Sequence, residues 1–313
     1  MDGHIDSPAG SATLAGMPFP RPDIPGSITG PVTGAEAAQA GLKPWQLKTA
    51  GLHRVHRDLW LPSALAGSLD MRSAAALRKL PAGSALSHAT AARLRGLPIP
   101  AVRDEPIHVT VPAPAQPRIA GIRVHTVAGP FAVVELASGL PVTRGARTWV
   151  DLAPSLGRDD RVIAGDAVLR RGFATLAEIT TEVDAAAGRR GIAAVREVVA
   201  ILEPKADSPG ETRLRLLLID HGIGGFVVNE PVFDSEGGWL CQPDIHFPRP
   251  RVSLEYQGEH HFADPRQRAR DIRKGEVLRS HDWTQLEIVA ADLHAANKTR
   301  TAHRILDAIG QAS

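Results

Sequence analysis

The chain contains the stretch Gln242-Pro243-Asp244-Ile245-His246-Phe247, followed after a short gap by Val252-Ser253-Leu254-Glu255-Tyr256-Gln257-Gly258-Glu259-His260-His261. Both halves alternate residue by residue, the mark of a half-buried strand. In the first, Trp239, Cys241, Pro243, Ile245 and Phe247 point one way and Gln242, Asp244 and His246 the other. In the second, Val252, Leu254 and Tyr256 oppose Ser253, Glu255 and Gln257. Pro248-Arg249-Pro250 between them predicts a turn, because proline has no ladder N–H and fixes φ. Two adjacent strands then share one apolar face and one polar face holding Asp244, Glu255 and Gln257. Paired carboxylates on the polar face of an otherwise buried hairpin are costly without a cation between them. Oxygen ligands of this kind suit a hard divalent ion.

Around the hairpin, Ser208 or Gly210 starts a helix carrying Glu211, Arg213, Leu214, Leu216, Leu217 and Leu218, broken by Gly222. A strand is expected around 226–229. Asp264-Pro265 opens a long polar helix to about Ser280, a strand lies within 283–289, and a last helix runs from about Asp292 to Ile309. This order predicts helices on both faces of a small mixed sheet.

Upstream, Thr33-Gly34-Ala35-Glu36 has capping-box spacing, so a short helix should run to about Gln39 and stop at Gly41. Lys43-Pro44 opens a second helix through Ala50, ended by Gly51, and 52–61 read as two short strands around Arg57-Asp58. Helix, tight turn, helix and basic hairpin is the order of a winged helix-turn-helix, with 44–50 the candidate recognition helix. A small helical pair with a surface hairpin fits the same spacing. Residues 33–100 carry nine Lys/Arg against three Asp/Glu, and 201–313 carry fourteen against seventeen. The basic part is a plausible footprint for nucleic acid, with Lys43, Lys48, Arg54 and Arg57 as candidate DNA contacts.

Between these regions, helices are expected at 70–80 and 87–95, strands at 107–111, 122–127 and 131–136, and four helices over 143–202. Nothing in 101–202 has catalytic spacing, so it reads as a connecting α/β module ending in a linker at 203–209. The expected architecture is an α+β multidomain chain. A disordered leader covers 1–30, a winged-helix domain 31–100, the connecting module 101–203, and an α/β sheet domain 204–313.

The 313 residues are 43% hydrophobic and 22% charged, as in soluble globular proteins. A single cysteine, Cys241, excludes an internal disulfide and a multi-cysteine zinc site, and fits a reducing cytoplasm. No apolar run approaches the roughly 18 residues of a membrane helix, so no membrane partner is expected. The first residues lack the basic and apolar regions of a secretory signal.

Pro243-Asp244 and, after ten intervening residues, Glu255-Tyr256-Gln257 resemble the PD-(D/E)xK nuclease signature in the core order that fold uses. The wider pattern is similar to the Vsr-like (very-short-patch-repair-like) endonuclease domains of actinobacterial proteins. It comprises Ser208-Pro209-Gly210-Glu211 before a helix, Pro243-Asp244, a turn of Gln257-Gly258 with His261, Arg270-Asp271 with Arg273, and Trp283 before the last strand. This resemblance spans about 205–295. Upstream, Gly41-Leu42, Gly51 with the hairpin at 54–61, Ser87-His88-Ala89-Thr90-Ala91-Ala92 with Gly96-Leu97, and Pro141-Val142-Thr143 with Thr148 are similar to the AbiEi-type antitoxin-like module. That module begins with a winged helix and is often joined to Vsr-like domains. The signature's lysine position holds Gln257 here, and the turn, which usually carries Asp before Gly, carries Gln.

The resemblance implies a restriction-endonuclease-like C-terminal domain that hydrolyses DNA phosphodiesters with Mg2+ or Mn2+. Asp244 would bridge the metal, with Glu255 and Glu211 completing its oxygen shell. Gln257 would orient the attacking water, His261 would serve as acid, base or phosphate contact, and Arg270 and Arg273 would touch phosphates. Ordinary strand carboxylates, a helix-dipole acid at Glu211, a solvated histidine turn and a solvated basic helix are the competing explanations. The competing function is a non-enzymatic DNA-binding regulator, or an AbiEi-like antitoxin that contacts a cognate toxin and carries an inert nuclease fold.

Overall fold

A computed structural model describes residues 23–48, 50–258 and 265–312, and the side chains of all of these but 265–272. Most of the expected leader, and His261, lie outside the described residues. The chain divides into two compact units, Met1–Arg78 and Lys79–Ser313. This division falls earlier in the chain than the expected boundary at residue 100. Strand β3 (Ala85–Leu86) is fully buried and paired on both edges within the second unit, which draws 79–100 into that unit.

In the first unit, α1 (Gly34–Gln39) starts on the expected capping box. Glu36 N–H donates to Thr33 Oγ1 at 3.2 Å, and the Glu36 carboxylate accepts from Thr33 N–H at 2.8 Å. A hydrogen bond from Arg78, then the one from Thr33 N–H, lowers the Glu36 carboxyl to about 2. The expected helix over 44–50 is absent as an α-helix; only a 3-10 turn, Gln46–Lys48, forms. The Gln46 side chain accepts the Lys43 N–H at 2.7 Å, and Gly51 turns the chain at φ +70°. The remaining stretch buries only Leu47 and Ala50, too little to offset helix nucleation. The expected hairpin does form, from β1 (Leu52–His56) and β2 (Leu59–Pro62), with Asp58 in the left-handed region at the turn. Helix α2 (Leu69–Leu77) is capped by Ser68 and packs on the hairpin through Ala75 and Met71.

The second unit begins with a five-stranded sheet. Strands β4 (Ile107–Pro112), β5 (Ile122–Val127), β6 (Val133–Glu135) and β7 (Pro141–Thr143) join β3 in the order β5-β4-β3-β7-β6. Helices α3 (His88–Leu94), α4 (Gly145–Leu152), α5 (Arg158–Arg170), α6 (Leu176–Ala185) and α7 (Ile192–Val199) follow the expected periodicity. They close around Trp149, Val162, Val168, Ile179 and Val195, all fully buried.

The last third holds α8 (Pro209–Asp220), β8 (Val227–Val228), β9 (Val232–Phe233), β10 (Trp239–Cys241), β11 (Ile245–Phe247), β12 (Val252–Gln257), α9 (Pro265–Ser280), β13 (Thr284–Val289) and α10 (Lys298–Ala312). Its four-stranded sheet runs β13-β12-β11-β8, with β12 and β13 parallel and the other pairs antiparallel. Ile245, Phe247, Val252, Leu254 and Ile288 form the apolar face, packed with Leu214, Leu217 and Leu218 of α8 and Ile305 of α10. Helix α9 reaches the polar face through Lys274, and its Leu278 packs with Val232, Cys241 and Trp283. This is the mixed α+β arrangement expected.

Two details differ. The first strand of the opening stretch is split: 239–241 pairs with β9, and Pro243, without an N–H to donate, separates it from β11. The last helix starts only at Lys298, because Asp292 caps a separate 3-10 turn at Ala290–Leu293, accepting the Val289 N–H at 3.1 Å.

Helix α8 belongs to both cores. Its Leu216 lies among the α4–α7 residues, while Leu214, Leu217 and Leu218 face the C-terminal sheet. On the α5 side, Arg215 and Asp166 form a buried ion pair at 2.9 Å. Thr212 Oγ1 donates to the same carboxylate at 2.8 Å and Glu203 N–H at 2.7 Å, while Arg215 also donates to Ile201 O at 2.7 Å. Burial pushes the Asp166 carboxyl up, against the pull of Arg215 and these donors.

Candidate functional site

Ser208 caps α8, with Pro209 at its first position, and its hydroxyl accepts the Glu211 N–H at 3.1 Å. The Glu211 side chain turns back and accepts from Asp207 N–H and from Asn229 Nδ2, both at 2.7 Å. Gly210 makes this entry possible. Any Cβ there would collide with the ring of Tyr256 on β12, so only glycine lets the helix start sit against that strand.

Asp244 immediately precedes β11. The antiparallel register Ile245↔Leu254, continued by one residue, sets it opposite Glu255, and its Oδ2 accepts the Tyr256 N–H at 2.7 Å. Asn229 ties the two sides together. Its backbone N–H donates to Asp244 O at 2.9 Å while its side chain holds Glu211, with φ at +47°. Burial, and next the Asp244 charge, push the Glu211 carboxyl up from the usual range. Two carboxyl groups are thus kept near each other at an electrostatic cost.

Glu255 is buried on β12, and Lys274 Nζ of α9 lies 2.7 Å from its Oε2. Gln257 is half-buried at the end of β12, opposite Val289 in the register with β13. Of the residues expected at this site, the fold brings Glu211 near Asp244 and sets Glu255 across the hairpin from Asp244. Arg273 is exposed, while the side chain of Arg270, like His261, lies outside the described residues. Three further residues shape the site: Gly210, which the sequence marks only as part of a helix start, Lys274, which it marks only as one cation of a basic helix, and Asn229, which it does not mark. Asn229 and Lys274 arrive through tertiary contacts.

Among the described residues, the one group of three potential ligands with all donor atoms within 4.8 Å of one another is His88, His108 and His125. The carboxylates are more widely spread. The donor set still fits a hard divalent ion, because the crowding that raises Glu211 is what such an ion relieves.

In the first unit, Lys43, Lys48, Arg54 and Arg57 are all exposed. The Arg54 guanidinium lies over the Trp60 ring at 5.9 Å, and Trp45 is 63% exposed beside Lys43 and Lys48 in the chain. Among the described residues, no helix is long and apolar enough to cross a membrane.

No family model matches the chain. The crystal structure of RV2827C protein from Mycobacterium tuberculosis aligns with a TM-score of 0.40 and 16% identity, covering 66% of this chain and 84% of that one. A likeness that loose carries no argument. Two proteins described as uncharacterized, Rv2248 and MT2308 from two Mycobacterium tuberculosis strains, are each 32% identical over 187 residues. The match covers 60% of this chain and 68% of theirs, and at that identity and coverage the chain belongs to the family of Rv2248 and MT2308.

Proposed function

We propose that this is a cytoplasmic DNA-binding protein whose C-terminal region is a PD-(D/E)xK (Vsr-like) endonuclease, hydrolysing DNA phosphodiesters with Mg2+ or Mn2+. The observation that carries the reading is the crowded pair Glu211 and Asp244 beside Glu255, with a lysine ammonium on Glu255. Asp244, Glu255 and Glu211 would hold the ion. Bound there, it would supply Lewis-acid stabilisation of phosphate oxygen and a more acidic water. Lys274 supplies from α9 the cation that the signature places on the strand, where Gln257 stands. Its ammonium, once transferred from Glu255 to a phosphate, would stabilise negative charge developing in the transition state. Lys43, Lys48, Arg54 and Arg57, on a winged-helix-like hairpin and turn, would grip DNA phosphates.

Nicking of supercoiled plasmid by the full chain with Mg2+ or Mn2+ tests this, beside Asp244→Ala and Glu255→Ala. Both substitutions should abolish cleavage. Activity that survives them would overturn the site.

One observation favours a second reading. Lys274 already compensates Glu255 at 2.7 Å, which suits an inert nuclease fold in a DNA-binding regulator or an AbiEi-like antitoxin with a cognate toxin. Unchanged DNA binding with no cleavage in either metal would support it.

A further inference from the structure

The five-stranded sheet of the second unit and the helix α3 beside it gather three histidines from three separate elements. His108 lies on β4 and His125 on the parallel neighbour β5, where the register pairs Thr110 with His125 and His108 with Arg123. Both side chains therefore project from the same face. His88 is the first residue of α3, brought over by Ser87, whose N–H donates to His108 O at 3.0 Å. The His108 N–H in turn donates to Thr90 Oγ1 at 2.8 Å, locking α3 to β4.

The three rings crowd together. His88 stacks on His125 with centroids 3.6 Å apart, and His108 Nδ1 sits 3.1 Å from His125 Nε2. His88 itself has φ +48°, an unfavourable backbone for a side chain with a Cβ, and one retained at sites where geometry is over-determined. Burial lowers all three imidazoles, joined by His125 for His88 (to about 3), by His108 for His125 (to about 4) and by Arg123 for His108. Asp151, held by Arg147 and Arg189 at 2.6 Å each, is the nearby acidic group, and Arg123 and Glu105 also face the cluster electrostatically.

We infer that His88, His108 and His125 form a binding site for one first-row transition-metal ion of the zinc type, distinct from the carboxylate site on β11 and β12. Zinc bonds to histidine nitrogen at about 2.0–2.1 Å, so ligands on one tetrahedral ion lie about 3.3 Å apart. The present spacing, within 4.8 Å, closes to that by rotation of the rings, which breaks the stack and the imidazole–imidazole hydrogen bond. Three nitrogens leave a fourth position for water or another ligand, and nitrogen ligands select this class of metal over Mg2+. The ion would clip α3, β4 and β5 together.

The test uses the full chain without a polyhistidine tag, stripped with chelator. Competition against a chromophoric zinc chelator should give one zinc per chain, undiminished by excess Mg2+. Cobalt should produce the visible absorption of a four-coordinate site. A His88→Ala/His108→Ala/His125→Ala variant should lose both, while Asp244→Ala/Glu255→Ala should keep both. Zinc should raise the melting temperature of the unsubstituted chain but not of the triple variant. Absence of the cobalt bands in the unsubstituted chain would overturn the inference whatever the variants do. Zinc retained by the triple variant would overturn it as well.

Discussion

Lys274 and Glu255 meet at 2.7 Å although they lie nineteen positions apart, one on a helix and one on a strand. The cation on the polar face therefore comes from the helix packed on that face and not from the strand that carries the acid. If Lys274 serves cleavage, Lys274→Met should slow plasmid nicking roughly 100-fold or more, the usual scale for a lost transition-state donor. Gln257→Ala should change it less than about tenfold on the same reasoning. Single-turnover nicking at saturating Mg2+ compares the two, and equal effects would return the role to Gln257.

Glu211 links the site to pH. Its folded-state pKa is raised by burial and by Asp244, so the folded chain holds this proton better than the unfolded one. The stability it contributes is full below the unfolded carboxylate range and is lost as pH rises through the folded value. Metal binding should offset that loss. Millimolar Mg2+ should raise the melting temperature more at pH 8 than at pH 5. Glu211→Gln should raise it without metal and remove the metal effect. Differential scanning fluorimetry at the two pH values would show both.

Gly210→Ala should destabilise the chain by about 1–3 kcal/mol, the cost of overpacking a filled contact. The new methyl meets the Tyr256 ring. Since the same displacement moves Glu211, cleavage should fall further than stability explains. Urea unfolding paired with the nicking assay separates the two effects.

Removing the Asp166 carboxylate leaves the Arg215 guanidinium buried without its ion-pair partner. Asp166→Ala should cost about 3–5 kcal/mol, as for other broken buried pairs. Replacing both residues together should cost less than the sum, which a double-mutant cycle by chemical denaturation would measure.

The exposed basic residues of the first unit make a separable prediction. Combined substitution of Lys43, Lys48, Arg54 and Arg57 by alanine should weaken DNA binding uniformly across sequences. Each lost phosphate contact should flatten the salt dependence by about one unit of slope. Fluorescence anisotropy over a salt series reads both quantities.

The alternation of 252–257 with 245–247 marks the hairpin and its polar face, and Ser208 and Asp264-Pro265 mark the helices beside it; these elements are present, with the first strand divided at Pro243. What escaped was carried by contacts, not periodicity. The 44–50 segment had a proline, a tryptophan and a leucine at helical positions, yet one side-chain acceptor from Gln46 and a left-handed Gly51 confined it to a 3-10 turn. Asp244 and Glu255 could be paired from the strand pattern. Lys274 could not, because α9 looked like one continuous charge run in which no single cation stood out. His88, His108 and His125 were likewise invisible, since parallel register and a helix start bring them together with no fixed spacing in the chain.

Helix α8 carries one more consequence. Glu211 and Arg215 are one helical turn apart, and Arg215 is fastened to Asp166 on α5. The position of the site carboxylate is thus indexed from a different layer than the sheet that bears Asp244 and Glu255. Glu211 shares its helix with an anchor in the connecting module, so the placement of the candidate site draws on that module as well as on the sheet.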